Sequence, residues 1–288
     1  MTLAELIARV EQRLAAAKLH YGHGTNNAHD EAAWLVLRGL GLPFHSDLAQ
    51  QATGLSRVER LVERRIDERL PVAYVLREAW LAGRAFYVDE RVIVPRSHIA
   101  ALLSESLLAR RRPARILDLC TGSGCLAILA ALAHRSASVD AVDLSPGAVA
   151  VARKNVARYR LGRRVRVLRS DLFSAVRRER YDLILSNPPY VSRRDMQALP
   201  AEYRHEPGLA LAGGGDGLDL VARILAEADR HLEPGGMLVC EVGDGRAAVR
   251  RRFPRLRLDW PKEQVFTYQP ARTAPERKKP ATGASRAR

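Results

Sequence analysis

An asparagine followed by two prolines is the stretch of this sequence that points most directly to chemistry. Asn187-Pro188-Pro189-Tyr190 comes directly after the apolar run YDLILS. A proline fixes its own φ angle, has no amide hydrogen and holds the preceding residue extended, so the stretch is stiff and offers carbonyl oxygens. The side-chain oxygen of Asn187 and the backbone carbonyl of Pro188 can accept both hydrogens of a planar NH2 group. We therefore predict a site for a carboxamide or an exocyclic base amine.

Holding both hydrogens also fixes the direction of the nitrogen lone pair, and such positioning provides much of the rate of a group transfer. An amide nitrogen is a poor nucleophile because its lone pair is delocalised into the carbonyl group. Acceptors that pull its hydrogens out of plane oppose this delocalisation most strongly in the transition state. We expect Tyr190 and Phe86 to stack on the flat group of the substrate. The alternative is that Asn-Pro-Pro only ends a strand.

A glycine-rich turn indicates a second ligand. The stretch ILDLCTGSGCLAILA leads from a buried strand through a turn into a helix, where backbone amides can receive a ligand. Gly122 and Gly124 permit positive φ angles and close approach, and Cys120 and Thr121 belong to the same turn. The stretch also satisfies the dinucleotide fingerprint, so a nicotinamide or flavin enzyme is an alternative, as is a turn without a ligand.

Acidic residues at three successive strand ends help to choose between a dinucleotide and a ligand with a cationic group. Asp118 would repel a pyrophosphate and attract an ammonium group. Asp143, about 20 residues beyond the glycines, is placed to accept from ribose hydroxyls. Asp171 is placed to accept from an adenine amine, with Leu172 near the ring. Each acid could instead cap a helix, but together they fit S-adenosylmethionine better than NAD.

The elements that must position these residues alternate from Arg115 onward. The predicted strands are RILDL, SVDAV, VRVLR, YDLILS, MLVCEV and QVFTYQ, with helices beginning near Gly124, near Ser145 and near residue 217. Such alternation predicts an α/β fold with a parallel sheet, right-handed crossovers and helices on both faces. Asn187 then emerges at the same carboxyl edge as the three acids and faces one crevice with them.

The first part of the chain is different in pattern. Apolar residues recur at helical spacing over residues 2–19. A second helix is predicted to begin near Asn26 or Asn27 and to end between Gly39 and Pro43, and Ser56 and Glu59 have the spacing of a capping box. We expect a helical bundle for substrate recognition over 1–72, a hairpin linker over 73–97, a catalytic domain over 98–270 and a disordered basic tail over 271–288.

The net charge and the cysteine content indicate which kinds of partner and ligand to expect. The net charge is +15, which suggests nucleic acid or a ribonucleoprotein nearby. Arginine outnumbers lysine 42 to 5 throughout the chain, so local arginine clusters alone are weak indications of a site. We expect the three cysteines to be free thiols, no metal to be bound and no membrane to be involved, and we expect a cytoplasmic protein.

Three motifs together, DLCTGSGCLAI, SNPPYV and VPRS, resemble the S-adenosylmethionine-dependent methyltransferases that modify a glutamine side-chain amide in translation proteins. Members carry a helical N-terminal domain, a hairpin linker and a seven-stranded Rossmann-like class I methyltransferase domain, and the resemblance covers about residues 1–270. The release-factor branch usually reads V-P-R-P. The serine at Ser97 and the stretch EYRHEPGLALAGGGDGLDL look like the branch that methylates the third protein of the large ribosomal subunit.

The resemblance implies roles for individual residues. Its cofactor positions are Asp118, Cys120, Thr121, Gly122, Gly124, Asp143, Asp171, Leu172 and Asn187, and its substrate positions are Phe86, Arg96, Asn187, Pro188, Pro189 and Tyr190. Asn187, Pro188 and Tyr190 are the catalytic positions, and Glu206 and Pro207 would order a loop over the site. The implied partner is a ribosomal protein, either free or within an RNA-containing assembly particle. Alternatives are a release-factor methyltransferase, a methyltransferase of a nucleic-acid base amine and a catalytically silent assembly factor.

Overall fold

A helical bundle opens the chain in the computed structural model, which describes residues 1–270. Its helices are α1 (Leu3–Ala16), α2 (Ala28–Gly39), α3 (Leu55–Asp67) and α4 (Val72–Leu76). The predicted apolar stripe of α1 is confirmed, because Leu3, Leu6, Ile7, Val10 and Leu14 are all buried. Asn27 caps α2 as predicted, since its side chain accepts a hydrogen bond from the backbone N–H of Asp30.

The capping box predicted at Ser56 is wrong. Helix α3 begins at Leu55, two residues before the start that such a box implies, and its N-cap is Gly54 in the left-handed region with φ 78° and no side-chain hydrogen bond. Ser56 already lies in the first turn, so its oxygen is not at the cap. The reciprocal capping box of the bundle lies instead at the start of α1, between Thr2 and Glu5.

A short antiparallel hairpin connects the bundle to the rest of the chain. It consists of β1 (Ala79–Leu81) and β2 (Arg84–Phe86). The fully buried Asn155 side chain holds the segment after the hairpin, because its Oδ1 accepts from Tyr87 N and its Nδ2 donates to the carbonyls of Tyr87 and Ser123. One side chain thereby ties the linker to the glycine-rich turn.

A seven-stranded sheet forms the centre of the second domain. Its strands are β3 (Arg115–Leu119), β4 (Ser138–Asp143), β5 (Val165–Arg169), β6 (Tyr181–Ser186), β7 (Leu232–Glu241), β8 (Leu258–Lys262) and β9 (Val265–Tyr268). The spatial order is β5-β4-β3-β6-β7-β9-β8. The chain order reverses between β3 and β6, which is the position where α/β sheets bind ligands. The predicted seven-stranded Rossmann-like α/β fold is confirmed.

Helices cover both faces of this sheet. The helices of this domain are α5 (Ile99–Leu102), α6 (Ser106–Ala109), α7 (Cys125–Ala133), α8 (Pro146–Arg158), α9 (Arg193–Ala198), α10 (Gly208–Leu211), α11 (Asp219–His231) and α12 (Arg246–Arg252). Helices α5, α7 and α8 pack on one face, and α11 and α12 pack on the other. No helix of residues 1–270 combines the length and the apolar character that crossing a bilayer requires.

The sheet is not purely parallel, which corrects one expectation. Strands β3 to β7 are parallel, whereas β9 pairs antiparallel with both β7 and β8. The sequence pattern missed β8 because Pro261 interrupts it. That proline is tolerated because β8 is an edge strand and its register shifts between Asp259 and Lys262. The basic tail predicted for 271–288 lies outside the described residues.

Buried charges join the bundle to the loop that follows β6. The Arg65 side chain is 1% exposed, and its Nε donates to Glu31 at 2.6 Å while Nη2 donates to the His20 carbonyl. Glu202, in the loop, accepts from His20 N and from Arg69. Burial raises the pKa of Glu31, and the positive charge of Arg65 opposes that rise. The bundle therefore contains a carboxylate that needs its arginine.

Replacing Arg65 tests this dependence. Arg65→Leu leaves Glu31 buried without its cation, so we expect the free energy of unfolding to fall by about 3–5 kcal/mol. The neighbouring Arg64→Leu is the control, because Arg64 is 46% exposed and its pair with Glu68 stabilises by about 0.5 kcal/mol at most. Urea unfolding of both variants gives the comparison. Equal losses would contradict a structural role for the buried pair.

Candidate active site

The strand register brings the predicted site residues together. Leu119 at the end of β3 pairs with Ser186 of β6 on one side and with Val142 of β4 on the other. The next residues along these strands are therefore neighbours at the carboxyl edge: the glycine-rich turn, Asn187 and Asp143. Residues far apart in the sequence meet there because parallel strands end at a common edge.

A cavity of about 390 Å³ lies over this edge. Six of the predicted cofactor residues line it: Cys120, Gly122, Asp143, Asp171, Leu172 and Asn187. Leu144 and Ala148 add an apolar wall, and Leu144 is 46% exposed. Gly122 has φ 54°, and a Cβ there would meet no atom within 4 Å, so the turn leaves open space. Carboxylates beside an apolar wall suit a ligand with hydroxyl groups, an amine and a flat ring.

Asp143 holds the glycine-rich turn by accepting a hydrogen bond from one of its backbone amides. Its Oδ2 accepts from the Gly122 N–H at 2.9 Å, and its Oδ1 accepts from the Ser145 N–H at 2.9 Å. Burial raises the pKa of this carboxyl, and the same hydrogen bonds oppose the rise. A pyrophosphate would need the amide that Asp143 already binds and would meet a carboxylate beside it. This set of acceptors therefore fits an adenosine with a cationic side chain better than a dinucleotide.

Three predicted cofactor residues do not line the cavity. Asp118 is 1% exposed, and its Oδ2 accepts from Thr121 Oγ1 and from the Ala127 N–H, so it organises the turn. Gly124 has φ 81°, and a Cβ there would lie 3.1 Å from Ala152 Cβ, so this glycine allows α7 to pack on α8. Complete burial raises the pKa of Asp118 to about 7. Within residues 1–270 its Oδ1 has no hydrogen-bond partner.

Asp171 lies at the exposed rim of the same cavity. Both of its carboxylate oxygens are 2.9 Å from Arg223 Nη2, on α11. Asp171 is also the N-cap residue of the short helical turn Leu172–Val176, where its backbone N–H donates to Ser174 Oγ at 3.1 Å. Asp171 is thus both a helix cap, the alternative weighed above, and a cavity residue.

A second cavity, of about 330 Å³, opens on the other side of Asn187. The predicted substrate residues that line it are Arg96, Asn187, Pro188, Pro189 and Tyr190. Asn187 and Pro189 line both cavities. The Asn187 side chain therefore stands where the two cavities meet.

The orientation of the Asn187 amide follows from a single contact. Its Nδ2 donates to the backbone carbonyl of Arg96 at 3.1 Å. A carbonyl can only accept a hydrogen bond, so the NH2 end of the amide must face Arg96 and the Oδ1 end must face away from it. Asn187 thus presents a hydrogen-bond acceptor to the cavities. The predicted binding of a planar NH2 group requires such an acceptor.

A buried carboxylate holds the segment that carries the Arg96 carbonyl. Glu206 accepts from the Arg96 guanidinium through both oxygens, at 2.8 and 2.6 Å, and from the Val94 N–H at 2.8 Å. The Glu206 side chain is fully buried. Burial raises the pKa of Glu206, but the hydrogen bonds and charge of Arg96 outweigh burial and lower it to about 2. The Arg96 guanidinium also lies over the Tyr203 ring, at 5.3 Å.

The two aromatic residues expected to stack on the substrate differ in position. Tyr190 lines the second cavity, and its ring packs so closely on Gly243 that a Cβ there would lie 2.6 Å from Tyr190 Cε2. Burial raises the pKa of Tyr190 to about 12. The expectation for Phe86 is wrong: its side chain is fully buried in the core between hairpin and sheet and lines neither cavity.

Several residues of the site were not found from the sequence. Tyr203, Leu199 and Leu211 line the second cavity. The loop that carries Tyr203 and Leu211 was expected to lie over the site, but its pattern did not single out these residues. Asp244 follows the end of β7, so the rule that singled out the other acids could have found it. Arg223 is one of many arginines and has no distinguishing spacing.

The three cysteines are free, as predicted, and burial raises the pKa of each thiol. Among residues 1–270 no cluster of three or more His, Cys, Asp or Glu side chains is arranged to hold a metal ion.

Comparisons with known proteins agree with this geometry. The family model of the methyltransferase small domain matches residues 98–203. A Bordetella pertussis protein named ribosomal protein uL3 glutamine methyltransferase is 52% identical over 90% of each chain. Proteins of the same name from Burkholderia pseudomallei and Bradyrhizobium diazoefficiens are 48% and 46% identical over 90% of this chain and 90% and 86% of theirs.

A solved structure shares the fold. The catalytic domain of hMettl16, in complex with MAT2A 3'UTR hairpin 6, superposes with a TM-score of 0.50 at 15% sequence identity and covers 76% of this chain and 82% of that one. At this identity the likeness concerns the fold alone.

Glu206→Gln tests the clamp on the Arg96 segment. Lowering the pKa from an ordinary 4.5 to about 2 stabilises the fold by about 3 kcal/mol at neutral pH. Because the folded-state pKa is depressed, this stabilisation is present above the unfolded-state value and is lost as the pH falls from 4.5 towards 2. We expect the stability difference between wild type and variant to be largest near neutral pH and to shrink below pH 4.5. Denaturant unfolding across that range measures it.

The control for this prediction is Glu263→Gln. Glu263 is 67% exposed in its pair with Arg246, so its loss changes stability by about 0.5 kcal/mol or less at any pH. A Glu206→Gln difference that stays constant with pH would contradict the ionic origin of the clamp.

Proposed function

This chain belongs to the family of ribosomal protein uL3 glutamine methyltransferases and methylates a glutamine of a ribosomal protein, and from that premise we propose how its site works. The methyl donor is S-adenosylmethionine, bound in the cavity over the glycine-rich turn. The glutamine side chain enters the second cavity. The two ligands meet at Asn187, because this residue lines both cavities.

The residues around the first cavity fit S-adenosylmethionine. Asp143 would accept from the ribose hydroxyls, Asp171 would accept from the adenine amine, and Leu144 and Leu172 would contact the ring. Asp118 lies beneath the turn rather than in the cavity, and its carboxylate would attract the ammonium group there. The cation would in turn favour the ionised form of this carboxyl, whose pKa burial raises to about 7. Cys120, Thr121, Gly122 and Gly124 shape the turn. When bound, the cofactor supplies a methyl group on a positively charged sulfur, which makes the methyl carbon electrophilic.

The residues around the second cavity hold and orient the amide of the glutamine. Asn187 Oδ1 and the Pro188 carbonyl accept its two hydrogens, and this directs the nitrogen lone pair toward the cofactor cavity. The Tyr190 ring forms the wall, with Pro189 beside it. Tyr190 keeps its proton because burial holds its pKa near 12, so we assign it no role as a base at neutral pH.

The orientation of Asn187 is the observation that carries this proposal. The Arg96 carbonyl receives the Nδ2 hydrogen at 3.1 Å, which leaves Oδ1 as an acceptor toward the cavities. Because the clamp from Glu206 holds the Arg96 segment, Oδ1 is in place before the substrate arrives. Little reorganisation is then needed when the glutamine amide binds.

The alternatives receive less support. The three relatives carry the name of the ribosomal protein rather than of a release factor or a nucleobase, so the first function is favoured. We propose that the enzyme binds its ribosomal protein substrate either as the free protein or within an RNA-containing assembly particle.

Asn187→Ala tests the acceptor role. We expect transfer to fall by about 1,000-fold or more, because an acceptor that acts mainly in the transition state is lost, while cofactor affinity stays within a few fold. The measurement is incorporation of labelled methyl groups into uL3, release factor and RNA, each offered separately, with cofactor affinity measured by calorimetry. Asn26→Ala is the control, because Asn26 is exposed on the bundle. Label in RNA but not in protein, or substantial turnover by Asn187→Ala, would contradict the proposal.

Asp143→Ala tests the cofactor assignment separately. Loss of a charged acceptor for the ribose, and of support for Gly122, should weaken S-adenosylmethionine binding by about 10- to 100-fold. Direct binding by calorimetry checks this without any transfer. Asp67→Ala, at an exposed position of α3, should bind as the wild type does. Unchanged affinity in Asp143→Ala would remove Asp143 from the cofactor site.

A further inference from the structure

The edge of the sheet opposite the active site is formed by the segments that precede the strands. We call it the amino edge, and it consists of residues 110–114, 134–137, 159–164, 177–180, 232–236 and 253–257. The first four segments precede β3 to β6, and the fifth forms the start of β7. The last precedes β8, which runs parallel to β7 because both pair antiparallel with β9. All six segments therefore lie at one end of the sheet.

The amino edge carries the whole charge excess of the described chain. It contains twelve arginines, Arg110, Arg111, Arg112, Arg135, Arg160, Arg163, Arg164, Arg177, Arg178, Arg180, Arg255 and Arg257, against the two acids Glu179 and Glu233. The rest of residues 1–270 contains 29 basic and 29 acidic residues. The chain-wide preference for arginine over lysine explains the choice of cation but not the scarcity of acids at this edge.

None of these twelve arginines forms an ion pair with a carboxylate of residues 1–270. Elsewhere in that range 14 of the 29 basic residues do. Glu179 does not neutralise its neighbours, because it pairs with Arg115 at 2.6 Å. Ten of the twelve side chains are exposed, Arg111 and Arg164 being half-buried.

Some of these guanidinium groups are held in place by backbone carbonyls. Arg111 donates to Gly235 O, Arg180 donates to Leu232 O, and Arg164 donates to Ala131 O at 2.7 Å. The first two contacts connect segments of the edge, and the third holds Arg164 against the last turn of α7. A carbonyl positions a guanidinium without cancelling its charge, so the cations remain available for another partner.

We propose that the amino edge is a binding surface for RNA. With strands about 4.8 Å apart, the seven-stranded sheet spreads these cations over about 30 Å. A single phosphate group would need donors that converge, whereas a polymer with many phosphates matches cations that are spread out. RNA is the polyanion that surrounds a ribosomal protein, and in this respect the inference rests on the proposed function.

The position of the edge suits such a role. Strands of five or six residues separate it from Asn187 by about 16–20 Å. RNA bound at the amino edge therefore leaves the carboxyl edge open to the protein substrate. The enzyme can contact RNA of an assembly particle and a glutamine of its protein at the same time.

The test replaces one exposed arginine in each of four segments of the full chain: R110Q/R163Q/R178Q/R255Q. None of these four side chains makes a hydrogen bond within residues 1–270, so the change should leave the fold intact, which thermal unfolding checks. The probe is a labelled single-stranded RNA of mixed sequence, titrated at several salt concentrations. We expect about tenfold weaker binding or more, and a salt dependence lower by about 3 in the slope of log K against log salt.

The charge-matched control is R57Q/R60Q/R77Q/R84Q, four exposed arginines of the bundle and hairpin. It should bind RNA within about twofold of the wild type, because it removes the same charge from a different surface. Equal losses in the two variants would mean that only net charge matters and would overturn the proposal. Loss of binding to phosphatidylserine vesicles with RNA binding retained would also overturn it and would point to a membrane surface.

Methylation assays separate this inference from the proposed function. The quadruple variant of the amino edge should methylate free uL3 at the wild-type rate and lose activity on uL3 within an RNA-containing particle. If wild type methylates no form of uL3, the proposed function fails while the RNA titration still decides the role of the edge. Equal loss on free and particle-bound uL3 would count against the edge as an RNA surface.

Discussion

The register of β3 between β4 and β6 is the constraint on which the site depends. Leu119 pairs with Val142 and with Ser186, so the glycine-rich turn, Asp143 and Asn187 leave the sheet side by side. A shift of one residue would turn every side chain of a strand to the opposite face. The register is held because β3, β4 and β6 bury apolar residues on both faces, as expected for central parallel strands. Core packing thereby sets the distance between cofactor and substrate cavities.

Two buried glutamates extend this constraint to the rest of the molecule. Glu206 joins the loop after β6 to the linker through Val94 N and Arg96, and Glu202 joins the same loop to the bundle through His20 N and Arg69. Both carboxylates are buried, so each depends on these partners to remain ionised. The bundle can therefore influence the orientation of Asn187 without contacting it.

Charge is divided between the two ends of the sheet. Carboxylates gather at the carboxyl edge, where Asp118 and Asp143 lie at the ends of β3 and β4 and Asp171 follows β5. Arginines without an ion pair to a carboxylate of residues 1–270 gather at the amino edge. The acids would repel a polyanion from the reaction centre, and the arginines would attract one to the far side. The division is consistent with an enzyme that receives a protein side chain on one side and contacts RNA on the other.

The sequence by itself determined six strands of the large sheet, the helices of nine residues or more and the residues that stand at strand ends. These depend on local apolar periodicity, turn residues and the rule that parallel strands end at one edge. The seventh strand of the sheet was implied only by the family resemblance. The sequence failed at β8, where a proline hid an edge strand, and at Phe86, where an aromatic residue could equally face a substrate or a core. Only the tertiary structure decided the orientation of Asn187, the burial of Asp118 beneath the turn and the gathering of arginines at the amino edge. These depend on contacts between distant residues: 91 positions separate Asn187 from Arg96, and 110 separate Arg96 from Glu206. No local pattern encodes such pairings, since they exist only when the sheet and the loop after β6 have packed.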